Sequence, residues 1–351
     1  MIRKSAPAIA IAAALLGTAC TAPATDTAAS GSGSARTAEP TTTASTAPAG
    51  GVTAAAARLT PSVVTVNTRT PEGGGNGSGV VYRDGGFLIT NEHVVRGATS
   101  ISLTLADATQ TAARLVAADP ITDIAVLQAG RSGLPVARFA TALPQVGQSV
   151  ITVGSPLGFT NTVSAGIVSG LARAIPGAAA AGNQALVDLI QTDAAISPGN
   201  SGGALADLTG AVIGINEAYI SPQAGAVDLG FAIPAATALD VAEELRTSGR
   251  ARHAFTGLTP ATVTADIARD FDLPITSGVL ATQVTADGPA DRAGITPGAI
   301  ITELADQPTP TVEAFLGALR RLEPRQAVAV IFLPPGQRSP QTGTITLAER
   351  P

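Results

Sequence analysis

From residue 63 to residue 233 the chain is a succession of short β-favouring runs with no helical pattern between them. Val63 to Val66, Val80 to Tyr82, Phe87 to Thr90, Ile101 to Leu105 and Ile124 to Leu127 come first. Val150 to Val153, Thr162 to Val168, Val187 to Thr192, Val212 to Ile215 and Leu229 to Ile233 follow. Glycine-rich segments such as Gly73-Gly74-Gly75-Asn76-Gly77 and Asp84-Gly85-Gly86 separate them and read as turns. Many short strands without helices between them predict a mainly β fold, an antiparallel barrel or sandwich.

The first well-formed helix is expected over Pro234 to Ser248, with Pro234 in its first turn, Leu239, Val241 and Leu245 as apolar positions, and Gly249 as its stop. A domain boundary near residue 250 follows. Beyond it lie strand-like runs at Gly278 to Thr282, Ile300 to Glu303, Ala327 to Phe332 and Thr342 to Leu347, and helical segments at Pro289 to Ala293 and Thr311 to Leu322. That pattern predicts a small α+β module over residues 251–351.

The 351 residues suffice for two domains and an extension. A charged share of 13% beside 45% hydrophobic residues raises the question of a membrane protein. No strongly apolar run reaches the ~20 residues of a spanning helix, however. The net charge of -5 is scattered, so there is no basic footprint for nucleic acid. Cys20 is the only cysteine, which excludes an intrachain disulfide and a cysteine zinc site. Residues 1–19 read as an export signal: Arg3 and Lys4 open it, Ala8 to Leu16 is apolar but too short to span, and Gly17, Thr18 and Ala19 precede Cys20. The segment resembles a bacterial lipoprotein signal, which would make Cys20 a lipid anchor, although Gly17 stands where that signal has Leu or Val. Ordinary cleavage nearby would leave Cys20 incidental. Residues 20–52 are expected to be a disordered tether, because Thr21 to Gly50 contains no Val, Leu, Ile or Phe with which to bury a core.

Three segments carry chemistry. Leu88-Ile89-Thr90-Asn91-Glu92-His93-Val94-Val95 places His93 just after a strand, and Thr122-Asp123-Ile124-Ala125-Val126-Leu127 places Asp123 at the entry to one. The third is Asp193-Ala194-Ala195-Ile196-Ser197-Pro198-Gly199-Asn200-Ser201-Gly202-Gly203-Ala204-Leu205. A serine hydroxyl becomes a useful nucleophile when an imidazole takes its proton, and a carboxylate fixes the tautomer of that imidazole. The glycines beside Ser201 let backbone N–H groups converge on a developing oxyanion. Gly-Asn-Ser-Gly-Gly also satisfies the α/β-hydrolase elbow pattern, but Pro198 precedes it and the following segment turns at Leu208-Thr209-Gly210 into a strand. An esterase of that class is therefore disfavoured.

The three motifs, their order and the C-terminal module resemble HtrA/DegP-type serine proteases, a chymotrypsin-like double β-barrel followed by a PDZ domain. The resemblance runs from about residue 55 to 349, with Ser155-Pro156-Leu157-Gly158 and Ile190 to Leu205 among its most specific stretches. It implies a protease domain over 53–250 and a PDZ domain over 251–351. It makes His93 the general base, Asp123 its orienting carboxylate and Ser201 the nucleophile. Gly199, Asn200 and Ser201 would supply the oxyanion hole.

Where trypsin-like enzymes hold an acid for basic side chains this chain has Ala195. With Ile196, Ala218 and Tyr219 it would form an apolar substrate pocket. Such a pocket suits small or medium aliphatic residues of unfolded chains and discriminates loosely. Phe255, Thr256, Gly257 and Leu258 resemble the loop that captures a peptide's C-terminal carboxylate, with Thr256 in place of a larger apolar residue. The remaining PDZ signature is Gly288-Pro289-Ala290-Asp291-Arg292-Ala293-Gly294-Ile295. The family is typically trimeric through aromatic residues near the start of the protease domain, and Val52 to Val66 holds none. The resemblance also places a regulatory sensor loop within Ala172 to Gln184, which reads as loosely packed. Neither cofactor nor metal is expected. A catalytically silent chaperone or peptide-binding scaffold with a misaligned triad is the competing function.

Overall fold

The short runs pair antiparallel and close twice. In the computed structural model, residues 51–155, 162–175, 185–219 and 229–350 are described. The expected signal, Cys20 and residues 20–50 of the tether lie outside them. Helix α1 (Val52–Leu59) and a 3-10 turn lead into β1 (Val63–Thr70), β2 (Gly73–Arg83) and β3 (Phe87–Thr90). After the one-turn helix α2 (Glu92–Val95) come β4 (Ser100–Thr104), β5 (Gln110–Asp119) and β6 (Ile124–Ala129). These close in the order β1-β2-β3-β6-β5-β4. The second barrel uses β7 (Ser149–Gly154), β8 (Thr162–Ile175), β9 (Leu186–Thr192), β10 (Ala204–Asp207), β11 (Val212–Tyr219) and β12 (Gly230–Pro234), ordered β10-β11-β12-β9-β8-β7. Closure removes the exposed strand edges that an open sheet would present.

Alternate residues of one strand serve two cores, because successive side chains leave a strand on opposite faces. Val81 and Leu127 join Val64, Val66, Leu88 and Leu103 in a cluster of the first barrel. Their neighbours Val80 and Val126 pack with Ile151, Val153, Leu189, Ile215 and Ile233 of the second barrel. Helix α3 (Ala235–Ser248) adds Ala238, Val241, Ala242 and Leu245 to that shared core and touches β5, β6, β11 and β12. Gly249 ends it in a left-handed conformation, φ 75°, donating its N–H to Leu245 O.

Several elements depart from expectation. Gly73 to Gly77 forms the first part of β2, paired from Thr70↔Gly73 to Val66↔Gly77, and the turn is Pro71-Glu72. A side chain at Gly77 would meet both Val94 methyls at 2.7 Å, so these glycines serve close packing as much as turning. Strand β5 escapes the sequence pattern because it is Ala-rich and buries only Ala117 and Asp119, and β10 is hidden in the serine segment. Helix α1 precedes the expected first helix and buries only Ala55 and Leu59. Ala172 to Ile175 belongs to β8, and residues 176–184 of the expected sensor loop lie outside the described residues. Among the described residues no helix is long and apolar enough to cross a membrane.

Past α3, β13 (Ala254–Phe255), β14 (Leu258–Thr262), α4 (Ala265–Asp270), β15 (Val279–Val284), α5 (Pro289–Arg292), β16 (Ile300–Leu304) and β17 (Gln307–Pro308) follow. Then come α6 (Val312–Arg320), β18 (Ala327–Leu333), β19 (Gln341–Thr346) and β20 (Ala348–Glu349). The sheet runs β14-β15-β16-β18-β19, with β17 on β16 and β13 paired to β20. Thr311 caps α6 by accepting Ala314 N–H at 3.3 Å, and Phe315 anchors it on Val279, Ile301, Val330 and Ile345. Several side chains join this module to the barrels and α3, among them Arg252, whose guanidinium pairs with Glu244 of α3 at 3.0 Å. Arg320 donates to Val187 O (3.0 Å) and Ile121 O (3.1 Å), Arg321 pairs with Asp188, and His253 Nε2 lies 3.0 Å from both Asp119 oxygens.

Because Leu245 is fully buried where α3 meets the barrels, Leu245→Ala is expected to destabilise the protein by about 2–5 kcal/mol. The loss should appear as a lower denaturation midpoint with unchanged denaturant slope.

Candidate functional site

The first barrel builds a histidine–carboxylate pair. β3 ends at Thr90, Asn91 turns the chain, and α2 carries His93. Asp123 stands just before β6 with φ 56°, a left-handed conformation that is costly for a residue with a side chain. Neighbouring groups hold it there: its carbonyl accepts Glu92 N–H at 3.1 Å and the Asn91 side-chain amide at 3.0 Å. Its carboxylate is then doubly used, Oδ1 accepting His93 N–H at 2.9 Å and Oδ2 facing His93 Nδ1 at 2.6 Å. A carboxylate on Nδ1 keeps the ring hydrogen there and leaves Nε2 as the acceptor. The Asp123 side chain is 4% exposed and that of His93 37%, so the carboxylate is shielded while the imidazole stays accessible. Burial by itself would lower the His93 pKa, but the hydrogen bond and charge of Asp123, with a contribution from Glu217, raise it above the ordinary imidazole value.

The second barrel supplies Ser201 on the loop between β9 and β10. Ser78 of β2 pins this loop, its N–H donating to Ser201 O (2.8 Å) and its hydroxyl to Gly199 O (2.7 Å). Gly202 has φ 81°, and a side chain there would collide with Ser78 O and Thr90 Oγ1. The Ser201 hydroxyl donates to Glu217 O at 2.8 Å. No hydrogen bond joins it to His93 in this arrangement.

Of the three amides expected around an oxyanion, that of Asn200 is already committed to Ser197 O at 2.9 Å, because the loop turns tightly there. Among the described residues the Gly199 and Ser201 amides have no hydrogen-bond partner. Ile196 is buried and reaches the open backbone of Gly230, where a side chain would meet its Cδ1 at 3.0 Å. Ala195 turns its carbonyl to the Ser164 hydroxyl (3.0 Å). Ala218 and Tyr219 pair with Phe231 and Gly230 across β11 and β12, and their side chains lie outside the described ones. Phe255 lies on β13, Thr256 is buried, and Gly257 has φ 76° with Pro289 against it. Leu258 begins β14, an edge strand lying against α6. His253 sits away from this site, on Asp119.

Glu217 was not expected here. It is 5% exposed, its Oε2 has no hydrogen-bond partner among the described residues, and one side-chain nitrogen or carboxylate oxygen each from His93, Asp123 and Glu217 lie within 4.8 Å of one another. Burial first, then the charge of Asp123 and a hydrogen bond to it, push its pKa up to about 8 against the opposing charge of His93. The signal in the sequence is a lone acid inside the apolar run Val212 to Tyr219.

The trypsin-like peptidase domain family matches residues 77–215. Serine protease PepD of Mycobacterium tuberculosis is 36% identical over 321 residues, which cover 86% of this chain and 67% of that protein. A Pseudomonas fulva protein named "Probable periplasmic serine endoprotease DegP-like" is 39% identical over 248 residues, 68% of this chain and 50% of that protein. The chain thus spans about half the length of such DegP-like relatives. Among solved structures, HtrA-type protease AlgW with a decapeptide aligns with a TM-score of 0.68 at 31% identity, covering 85% of this chain and 98% of that one. A serine endoprotease from Yersinia pestis aligns with a TM-score of 0.63 at 31% identity, covering 85% and 97%.

A left-handed alanine costs about 1–2 kcal/mol before any collision. Gly202→Ala is accordingly expected to lower Tm and to slow labelling of Ser201 by a serine-directed phosphonate. Unchanged labelling would show that the close approach to Ser78 does not position the serine.

Proposed function

The chain belongs to the HtrA/DegP-type serine proteases, and on that premise we propose that it is an exported serine endopeptidase acting on unfolded proteins through His93, Asp123 and Ser201. What supports this reading above all is the meeting of a shielded Asp123–His93 pair from one barrel with Ser201 from the other, joined through Glu217. The Ser201 hydroxyl leaves Glu217 O and turns to His93 Nε2. Its Oγ attacks the scissile carbonyl as Nε2 takes the proton, Asp123 stabilises the imidazolium, and the Gly199 and Ser201 amides hold the oxyanion. The imidazolium then protonates the leaving amine, and water repeats the sequence to release the acyl group.

The boundaries follow the same reading, with residues 1–19 as export signal, 20–52 as tether, 53–250 as protease domain and 251–351 as PDZ domain. Cys20 anchors the chain by lipid, and three copies assemble. The apolar Ile196 beside Gly230 supports loose selection of small or medium aliphatic side chains. The edge strand β14 beside α6 offers a peptide C-terminus a strand to extend, with Phe255 to Leu258 at its carboxylate end. A peptide seated there would bear on α6, whose Arg320 and Arg321 grip Ile121, Val187 and Asp188 near the turn that presents Asp123.

One observation favours a second reading: the Ser201 hydroxyl rests on Glu217 O, as a silent scaffold would require. Ser201→Ala should abolish casein cleavage, and His93→Ala and Asp123→Asn should each lower kcat by orders of magnitude, since the three act as a unit. Wild-type protein that neither cleaves casein nor takes up the phosphonate would establish the scaffold. With a raised His93 pKa the base is lost as pH falls through that value, so the acid limb of kcat/KM should lie above an ordinary imidazole's.

Regulation through the C-terminal module has its own assay. A non-cleavable peptide with an apolar C-terminus should speed hydrolysis of a reporter too short to reach that module, and deleting residues 252–351 should remove the response. No effect on the short reporter would mean that the module only holds substrate close.

A further inference from the structure

Glu217 is the titratable group at the site that hydrolysis through His93, Asp123 and Ser201 leaves without a task. The fold takes trouble to place it. The pairing of β11 with β12 slips between Asn216↔Ala232 and Ala218↔Phe231, so Glu217 is the extra residue of a β-bulge. Bulges re-aim a side chain and leave its backbone unpaired. Both consequences are used here: the Glu217 carbonyl is free to accept the Ser201 hydroxyl, and its carboxyl is turned inward to within 4.8 Å of the His93 and Asp123 atoms. Among the described residues its buried Oε2 has no hydrogen-bond partner and no ion pair holds it.

Two buried carboxyls this close do not both ionise readily. His93 already gives Asp123 two donors, whereas burial raises the Glu217 pKa, so the proton belongs on Glu217. Among the described residues the charged groups acting on Glu217 are Asp123 and His93. Arg96, which is paired with Glu92, acts on both His93 and Asp123. β12 contains no titratable side chain, and Asp207 of β10 is turned into its own loop with Thr209 and Ala211.

We propose that Glu217 is a positioning residue for the catalytic carboxylate: as a neutral acid it donates its carboxyl hydrogen to Asp123, which then presents Oδ2 squarely to the His93 Nδ1–H. The inference rests on the triad reading above. When Glu217 ionises, Asp123 loses this donor and gains a like charge beside it, and the His93 hydrogen bond is pulled out of line. Activity therefore falls on the alkaline side for a reason unrelated to the base itself.

The test compares pH profiles of kcat/KM on a short non-titrating peptide for the full-length protein, E217Q and E217A, with circular dichroism at each pH to verify folding. Glutamine keeps a donor and cannot ionise. The wild type is expected to show an alkaline limb near pH 8 that E217Q lacks, with E217Q within about threefold of wild type at pH 7. E217A, where it folds, is expected to lose at least tenfold in kcat at pH 7 with KM little changed. A wild-type profile without an alkaline limb, a limb that persists in E217Q, or a folded E217A with wild-type kcat would each overturn the proposal. Any of these with Ser201→Ala still inactive would leave the triad itself intact, whereas an active Ser201→Ala would remove the premise.

Discussion

Ser78 holds the two barrels together at the candidate site. Its N–H and hydroxyl bind the Ser201 and Gly199 carbonyls, its own carbonyl accepts the Thr90 hydroxyl at 2.7 Å, and its hydroxyl accepts Ser155 N–H at 2.9 Å. The residue is fully buried, so each of these bonds forms where no water competes and an unmade one would be expensive. One serine thus sets the height of the Ser201 loop against the strand that leads to His93. The glycines around it, Gly77, Gly202 and Gly203, exist to let backbones approach closely enough for those bonds.

The same economy governs the carboxylate. Asp123 occupies a left-handed backbone position, and such strain persists where the surroundings over-determine it. Asn91 and Glu92 do so from one side, and from the other the turn is tied by Asp119, whose carboxylate binds the Thr122 N–H and hydroxyl. Burial would raise the Asp119 pKa, yet the hydrogen bond and charge of His253, with Thr122, keep it lowered. His253 and Arg320 belong to the C-terminal part of the chain, so that module touches the turn at two places, Asp119 and Ile121. Arg320 is itself deeply buried, which lowers its pKa, with Asp119 and Asp188 partly restoring it. A buried cation whose hydrogen bonds go to carbonyls is held by geometry as much as by charge. Helix α6 is thereby joined through Arg320 to the turn that presents Asp123.

A low charge content makes these few polar contacts matter more. With Val, Ala, Leu and Ile filling both barrels and only 3% aromatic residues, apolar packing supplies bulk cohesion but little directional information. The registers that place His93, Asp123 and Ser201 come from buried hydrogen bonds such as Thr65–Ser155 and those of Ser78. Fully satisfied buried networks specify one arrangement where apolar contacts alone tolerate several.

Much of this was legible before folding. Period-two apolar runs announce strands, glycine and proline announce their ends, and a lone histidine after a strand, an aspartate before another and a serine among glycines announce a proton-relay chemistry. Those signals are local, each carried within a few residues. Three things were not local. Gly73 to Gly77 looked like a turn because glycine lacks a strand signature, and only the packing of Val94 and Ser201 against Gly77 explains its place in β2. The bond of the Asn200 amide to Ser197 O depends on how tightly the loop closes. Glu217 lies just past the expected run Val212 to Ile215, and it became part of the site only when a bulge turned it toward Asp123 and His93, residues far away in the chain. Residue type and spacing determine which chemistry is affordable to a sequence. Burial, register and the neighbours that long-range contacts bring decide which groups are charged, which amides are free and which carboxyl keeps its proton.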